Sequence, residues 1–171
     1  MPDAAWIHSA VETHERQLVA YVARLLGDAE EARDVVQDGF LRLCGQERDA
    51  VAGHLAEWLF TVCRNLAFDR LRRRHREVAM DTQDSALAEL PAAASPPSQP
   101  LETSEAQAGL LALLATLPPR QQEVVRLRFQ QGLSYKQIAA VTSLSATNVG
   151  FLIHTALKAL HERAPAALAT A

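Results

Sequence analysis

The sequence predicts an all-α protein made of two small helical domains joined by a flexible linker. Three observations predict it. Apolar residues recur at three- and four-residue spacing through most of the chain, the period of one helix face. The same blocks are rich in Ala and Leu, and only 5% of residues are aromatic, a balance that favours helix over strand. One central stretch, dense in Pro, Ala, Ser and acidic residues, breaks the pattern. The length of 171 residues accommodates two small domains. Their expected bounds are 1–77 and 109–163, with a linker over 78–108 and a disordered tail over 164–171.

The first helix is predicted from Ile7, Val11, His14, Leu18, Val22 and Leu25, one stripe on which His14 reads as a core or boundary residue rather than a ligand. Gly27 ends it, and Asp28 with Glu31 forms a capping-box-like start to the next. That second helix, Asp28 to about Cys44, buries Ala32, Val35, Val36, Phe40 and Leu43. It leaves Glu30, Glu31, Asp34, Gln37 and Asp38 on the other face, which by pattern is first a solvated face. A loop is expected from Gly45 to Gly53. The third helix begins near His54 with Leu55, Trp58, Leu59, Val62 and Leu66 inward, and runs into six arginines within residues 64–76. Cations near a helix C-terminus are mildly favourable, but six exceed that need; guanidinium groups interleaved with Phe68 suit phosphates and stacked bases. Cys44 and Cys63 both fall on apolar stripes without metal-ligand spacing, so both are expected as reduced packing residues.

Past the linker, Pro118 and Pro119 mark a helix start. Val124, Val125, Leu127 and Phe129 form its stripe, and Gly132 supplies the left-handed residue that ends it. Ser134 caps a short helix, Tyr135 to Val141, with Ile138 and Ala139 inward. After the turn Thr142-Ser143-Leu144, Ser145 caps a longer helix in which Val149, Leu152, Ile153, Ala156, Leu157 and Leu160 recur. Short helix, tight turn and longer helix make a helix-turn-helix pattern, whose second helix enters the DNA major groove. An ordinary helical hairpin fits the pattern equally well, and charge decides between them. From Leu110 onward six cations oppose two acids.

The formal charge of −3 therefore conceals segregated blocks: −6 over residues 1–63, +5 over 64–76, −6 over 77–109 and +4 beyond. Such blocks imply one surface for nucleic acid and another for a protein partner. The first residues carry no basic, apolar leader pattern and no stretch approaches eighteen apolar residues, so a cytoplasmic protein without membrane attachment is expected. A Gly-rich phosphate loop, a metal-spaced His/Asp set and a nucleophile elbow are all missing. Neither catalysis nor a metal or other cofactor is expected.

Three segments, in order, resemble bacterial RNA polymerase sigma factors of the sigma-70 family, extracytoplasmic-function (ECF) group. DAEEARDVVQDGFLRL is similar to the segment that grips core polymerase. HLAEWLFTVCRNLAFDRLRRR is similar to the segment that melts and reads the minus-ten element, and residues 117–160 resemble the minus-thirty-five reader. The resemblance covers roughly three-quarters of the chain. It implies core RNA polymerase (largest and second-largest subunits) and promoter DNA as partners. Asp34, Val35, Gln37, Asp38 and Leu41 would contact polymerase. Arg64, Asn65, Phe68, Arg70, Arg72, Arg73 and Arg74 would engage minus-ten DNA, with Asn65 holding a flipped base. Ser134, Tyr135, Lys136, Ser145, Thr147, Asn148, Phe151, His154, Thr155 and Lys158 would face minus-thirty-five DNA.

One departure from the family stands out. Where relatives place several Lys or Arg, this chain reads NVGFLIHTALK. Two explanations are open: Gly150 lets the helix approach the DNA backbone, or Phe151 reads thymine methyl groups. The same variant resembles a subgroup associated with Ser/Thr kinases, which raises control by a kinase beside control by an anti-sigma factor. Either Thr61, or another hydroxyl near the core-binding surface, is then phosphorylated to add the charge that polymerase binding needs, or Thr61 is a plain helix residue. The alternative to the whole reading is a stand-alone helix-turn-helix regulator, which leaves the arginine run and Asn65 unexplained.

Overall fold

Asp3 accepts a hydrogen bond from the Ala5 N–H and starts α1 (Ala4–Leu26), which stops at Gly27 with φ at 76°. Asp28 accepts from the Glu31 N–H at 3.0 Å and starts α2 (Ala29–Cys44). A short helix α3 (Arg48–Val51) and a 3-10 turn (Ala52–His54) lead into α4 (Leu55–Asp81). The C-terminal unit contains α5 (Glu105–Ala115), α6 (Pro119–Phe129), α7 (Tyr135–Thr142) and α8 (Ala146–Leu168). These elements come from a computed structural model that describes residues 3–81 and 105–168, and every regular element among them is helical. The chain divides into an N-terminal and a C-terminal unit. The predicted two-part all-α architecture is the observed one.

In the N-terminal unit α1, α2 and α4 pack on one another around Leu18, Val22, Val35, Val36, Leu43, Leu59 and Phe60, all essentially excluded from water. Burying each such side chain contributes about 1.5–3 kcal/mol relative to leaving it exposed. Tyr21 of α1 meets Phe60 of α4 edge to face at 5.2 Å between centroids. Gly39 lets α2 pack directly on Cys63 of α4: a Cβ built there would stand 2.7 Å from the Cys63 Sγ.

The C-terminal unit is held by Leu114, Leu117, Val125 and Ala156, with Ala159 and Leu160 against them, while Val124, Leu127, Ile138, Val141, Val149 and Ile153 are also buried. Gln122 Nε2 donates to the Leu117 carbonyl at 2.8 Å, fixing the turn at Pro118. Arg163 donates to the Thr116 carbonyl and hydroxyl, joining α8 to the end of α5. Gly132 is left-handed as expected, with φ at 68°, and the Leu133 N–H returns to the Leu127 carbonyl.

Several expectations change. Residues 48–54 are helical rather than a loop. The buried line of α4 is Leu59, Phe60, Cys63 and Ala67, with Trp58, Val62 and Leu66 only half-buried, so the inward face is turned by roughly a quarter from the predicted one. Cys44 is exposed, not packed. Phe129 and Leu157 lie outside the core at 62% and 44% exposure. Helices reach past both ends of the predicted linker, to Asp81 and from Glu105, and α8 continues to Leu168 where a disordered tail was expected. The expectation of a flexible linker over 82–104 lies outside the described residues. His14 is half-buried, and desolvation holds its imidazole below the usual histidine range.

Gly39→Ala is expected to cost about 1–3 kcal/mol of unfolding free energy by overpacking against Cys63, and the second change Cys63→Ala recovers part of that loss in a denaturation series. The Cys63 thiol, pushed up to about 12 by burial, stays protonated in the folded chain. A thiol reagent at pH 8 therefore titrates Cys44 quickly and Cys63 only on unfolding. The raised thiol pKa also makes stability fall as pH climbs from the unfolded cysteine value toward 12, because only the unfolded chain ionises there.

Candidate nucleic-acid and partner interfaces

The acidic side of α2 is a compact patch. Asp34, Gln37 and Leu41 are exposed and Asp38 is half-exposed; their spacings of three, four and seven residues place them side by side. Leu41, at 63% exposure, is a large apolar side chain that follows two carboxylates and an amide on the same helix side. Val35, expected among the polymerase-contacting residues, is fully buried: one residue on from Asp34, it points into the core and offers a partner nothing.

The arginines of α4 do not form one surface. Successive residues turn by about 100° around a helix, so Arg70 and Arg74 continue the line of Cys63 and Ala67 toward α2. There Arg70 Nη2 donates to Asp38 Oδ2 at 3.1 Å and Arg70 Nη1 lies 3.9 Å from Asp34 Oδ2; Arg74 pairs with Glu31. The opposite side carries Asn65, exposed, with Phe68 and Arg72 one and two turns on. Arg64 lies over the Phe68 ring at 4.5 Å, a cation–π contact, and Arg72 pairs with Asp69. Arg73 is exposed and has no ion-pair partner among the described residues. Thr61 sits one turn before Asn65 on this same side, and its hydroxyl donates to the Glu57 carbonyl at 2.8 Å.

In the C-terminal unit α7 and α8 are bent by 104° across Ser143, itself left-handed at φ 58°. That angle is the helix-turn-helix geometry. Ser134 and Gln137 form a reciprocal capping box, and the Ser145 hydroxyl accepts from the Asn148 N–H at 3.1 Å. Both hydroxyl oxygens are thus engaged in starting helices, leaving the O–H hydrogens to donate outward. Opposite the buried line Val149, Ile153 and Ala156, the outer side of α8 carries Thr147, Asn148, Phe151, His154, Thr155 and Lys158. Phe151 stands at its centre with 66% exposure. Lys136 at the start of α7 is also exposed.

The two explanations for Gly150 now separate. A Cβ at Gly150 would point at the Tyr135 ring, 3.5 Å from its nearest carbon, and not outward. Tyr135 also has the Arg128 guanidinium 5.4 Å from its ring centroid. Gly150 therefore belongs to the α7–α8 seat, and the outward departure from the family pattern is Phe151.

No single described helix is long and apolar enough to cross a membrane. An acidic-apolar patch, a basic-aromatic helix face and a helix-turn-helix together have the chemistry of a transcription protein. Residues 10–77 match Sigma-70 region 2 and residues 107–160 match Sigma-70, region 4. The chain is 33% identical over 165 residues to the ECF RNA polymerase sigma factor SigL of Mycobacterium tuberculosis, covering 92% of this chain and 88% of that one. It is 25% identical over 161 residues to SigM of Bacillus subtilis, covering 92% and 96%. The Bartonella quintana sigma factor RpoE, solved with the anti-sigma factor NepR, has a similar fold: TM-score 0.64 at 24% identity, over 91% of this chain and 94% of that one. The chain belongs to the ECF group of the sigma-70 family and is an RNA polymerase sigma factor that directs promoter-specific initiation of transcription.

Gly150→Ala places its methyl at ordinary van der Waals distance from Tyr135 and removes a helix-interior glycine. It is expected to raise unfolding free energy by about 0.5–1 kcal/mol, read as an upward shift of the denaturation midpoint.

Proposed function

We propose that α2 docks on core polymerase through Asp34, Gln37, Asp38 and Leu41. The carrying observation is Leu41, an exposed leucine at the C-terminal end of a row of groups that complement a basic partner. The outer side of α4 then takes the non-template strand of the minus-ten element. Asn65 can both donate to and accept from a displaced base, Phe68 offers a face for stacking, and Arg64, Arg72 and Arg73 meet phosphates. Captured bases and phosphate contacts offset the stacking lost when the duplex opens.

In the C-terminal unit α8 enters the major groove of the minus-thirty-five element. Asn148 and Thr147 reach base edges near its start, Phe151 lies against thymine methyl groups, and Lys136 and Lys158 contact phosphates. His154 and Thr155 flank this face; Ser134, Tyr135 and Ser145 build it and approach the backbone. The chain catalyses nothing itself, acts in the cytoplasm, and leaves nucleotide addition to the polymerase it recruits.

Run-off transcription with core polymerase tests the whole reading. Discrete transcripts are expected to fall tenfold or more with Asp34→Arg, through lost polymerase binding. With Asn65→Ala polymerase binding persists and open complexes fail. A protein that shifts promoter DNA equally well without polymerase, and yields no transcript with it, is instead the stand-alone regulator.

Control falls to an anti-sigma factor or to a Ser/Thr kinase. Thr61 shares a side with Asn65 rather than with α2, so a phosphate there would oppose DNA capture instead of assisting docking. Thr61→Ala is expected to leave promoter output in cells unchanged; a rise in output would make Thr61 an inhibitory phosphorylation site, and a loss would make it an activating one.

A further inference from the structure

The two carboxylates that the docking reading assigns to polymerase, Asp34 and Asp38, are already partnered inside the chain. Arg70 bridges Asp38 at 3.1 Å and Asp34 at 3.9 Å, and one turn further Arg74 pairs with Glu31. The Arg70 side chain is 29% exposed, whereas the Asp34 and Asp38 side chains are 69% and 49% exposed. The arginine is thus held between helices while both carboxylates still face outward. Arg70 lies in the run from which the proposed function assigns Arg64, Arg72 and Arg73 to phosphates, so one cation stands between two prospective anions: the carboxylates of its own chain and the phosphates of the promoter.

We propose that Arg70 is a competitor that couples polymerase docking to DNA capture. In the free chain it neutralises Asp34 and Asp38, weakening their pull on a basic surface, and they in turn withhold it from phosphate. When polymerase supplies cations to the two carboxylates, Arg70 is released toward the non-template strand. The coupling is reciprocal, so DNA binding strengthens docking by the same factor. Partly exposed ion pairs are weak, which sets the factor at about two- to fivefold and makes it smaller at high salt. This inference rests on the docking reading of α2. A purely positioning ion pair would have the opposite sign, since Arg70 would then hold the carboxylates ready for polymerase.

Two matched pairs of variants in the full-length chain decide it at low ionic strength. Binding is measured by fluorescence anisotropy to core polymerase and to a labelled minus-ten non-template oligonucleotide. Arg70→Gln keeps most of the side-chain volume, and Arg73→Gln removes an equal charge from an arginine with no ion-pair partner among the described residues. Arg70→Gln is expected to bind core polymerase about two- to fivefold more tightly than Arg73→Gln; weaker binding overturns the proposal and makes Arg70 a positioning residue. The isosteric pair Asp34→Asn with Asp38→Asn should raise oligonucleotide affinity of the free chain about two- to fivefold above a control carrying Glu15→Gln and Asp49→Asn. Adding Arg70→Gln should abolish that gain. Loss of polymerase binding with no gain on the oligonucleotide removes the coupling but leaves the docking reading standing. Unchanged polymerase binding by Asp34→Asn with Asp38→Asn removes the docking reading and the coupling with it.

Discussion

The approach of α2 to α4 at Gly39 and Cys63 is the constraint on which the N-terminal unit depends. Nothing larger than hydrogen fits on α2 at that point without displacing a sulfur that is itself fully enclosed. Because the two helices lie this close, the next turns of α4 carry Arg70 and Arg74 within reach of Asp38, Asp34 and Glu31. The same approach rotates Asn65, Phe68 and Arg72 to the far side of α4. A single contact therefore sets which side chains of α4 turn toward the acidic patch of α2 and which turn away from it. A bulkier residue at 39 would shift α4 outward and blur both.

Much of this was legible in the sequence because it is written locally. Gly27, Asp28, Gly132, Ser134 and Ser145 each act on their own few residues, and each performs the turn or cap its type suggests. The stripes of α1, α2 and α8 were readable for the same reason. What the sequence concealed is non-local. In α4 two adjacent lines are both apolar, so spacing does not choose between Trp58, Val62 and Leu66 on one side and Phe60, Cys63 and Ala67 on the other; the position of α2 chooses. Cys44 and Phe129 sit near helix C-termini, where the stripe continues although the core has ended.

The candidate sites follow the same rule. The acidic patch and the arginine run were readable as compositions, but an ion pair between residues 38 and 70 has no sequence signal. Val35 was taken with its neighbours because a motif is contiguous, whereas a helix face is not. Gly150 invited a reading toward DNA because it interrupts the recognition helix. Its neighbour across the turn, Tyr135, becomes visible only once α7 and α8 are bent together.

The seat formed by Tyr135, Gly150 and the left-handed Ser143 lies on flanks of α8 that its outer side does not share. Thr147, Asn148, Phe151, His154, Thr155 and Lys158 consequently contribute little to the stability of the unit that displays them. Their identities are free to drift, or to be exchanged deliberately, while the scaffold stays intact. Under the role proposed for α8, a library randomised at these six positions would be a collection of well-folded proteins differing in promoter preference. Mutual insulation among many such regulators in one cell then costs the fold almost nothing.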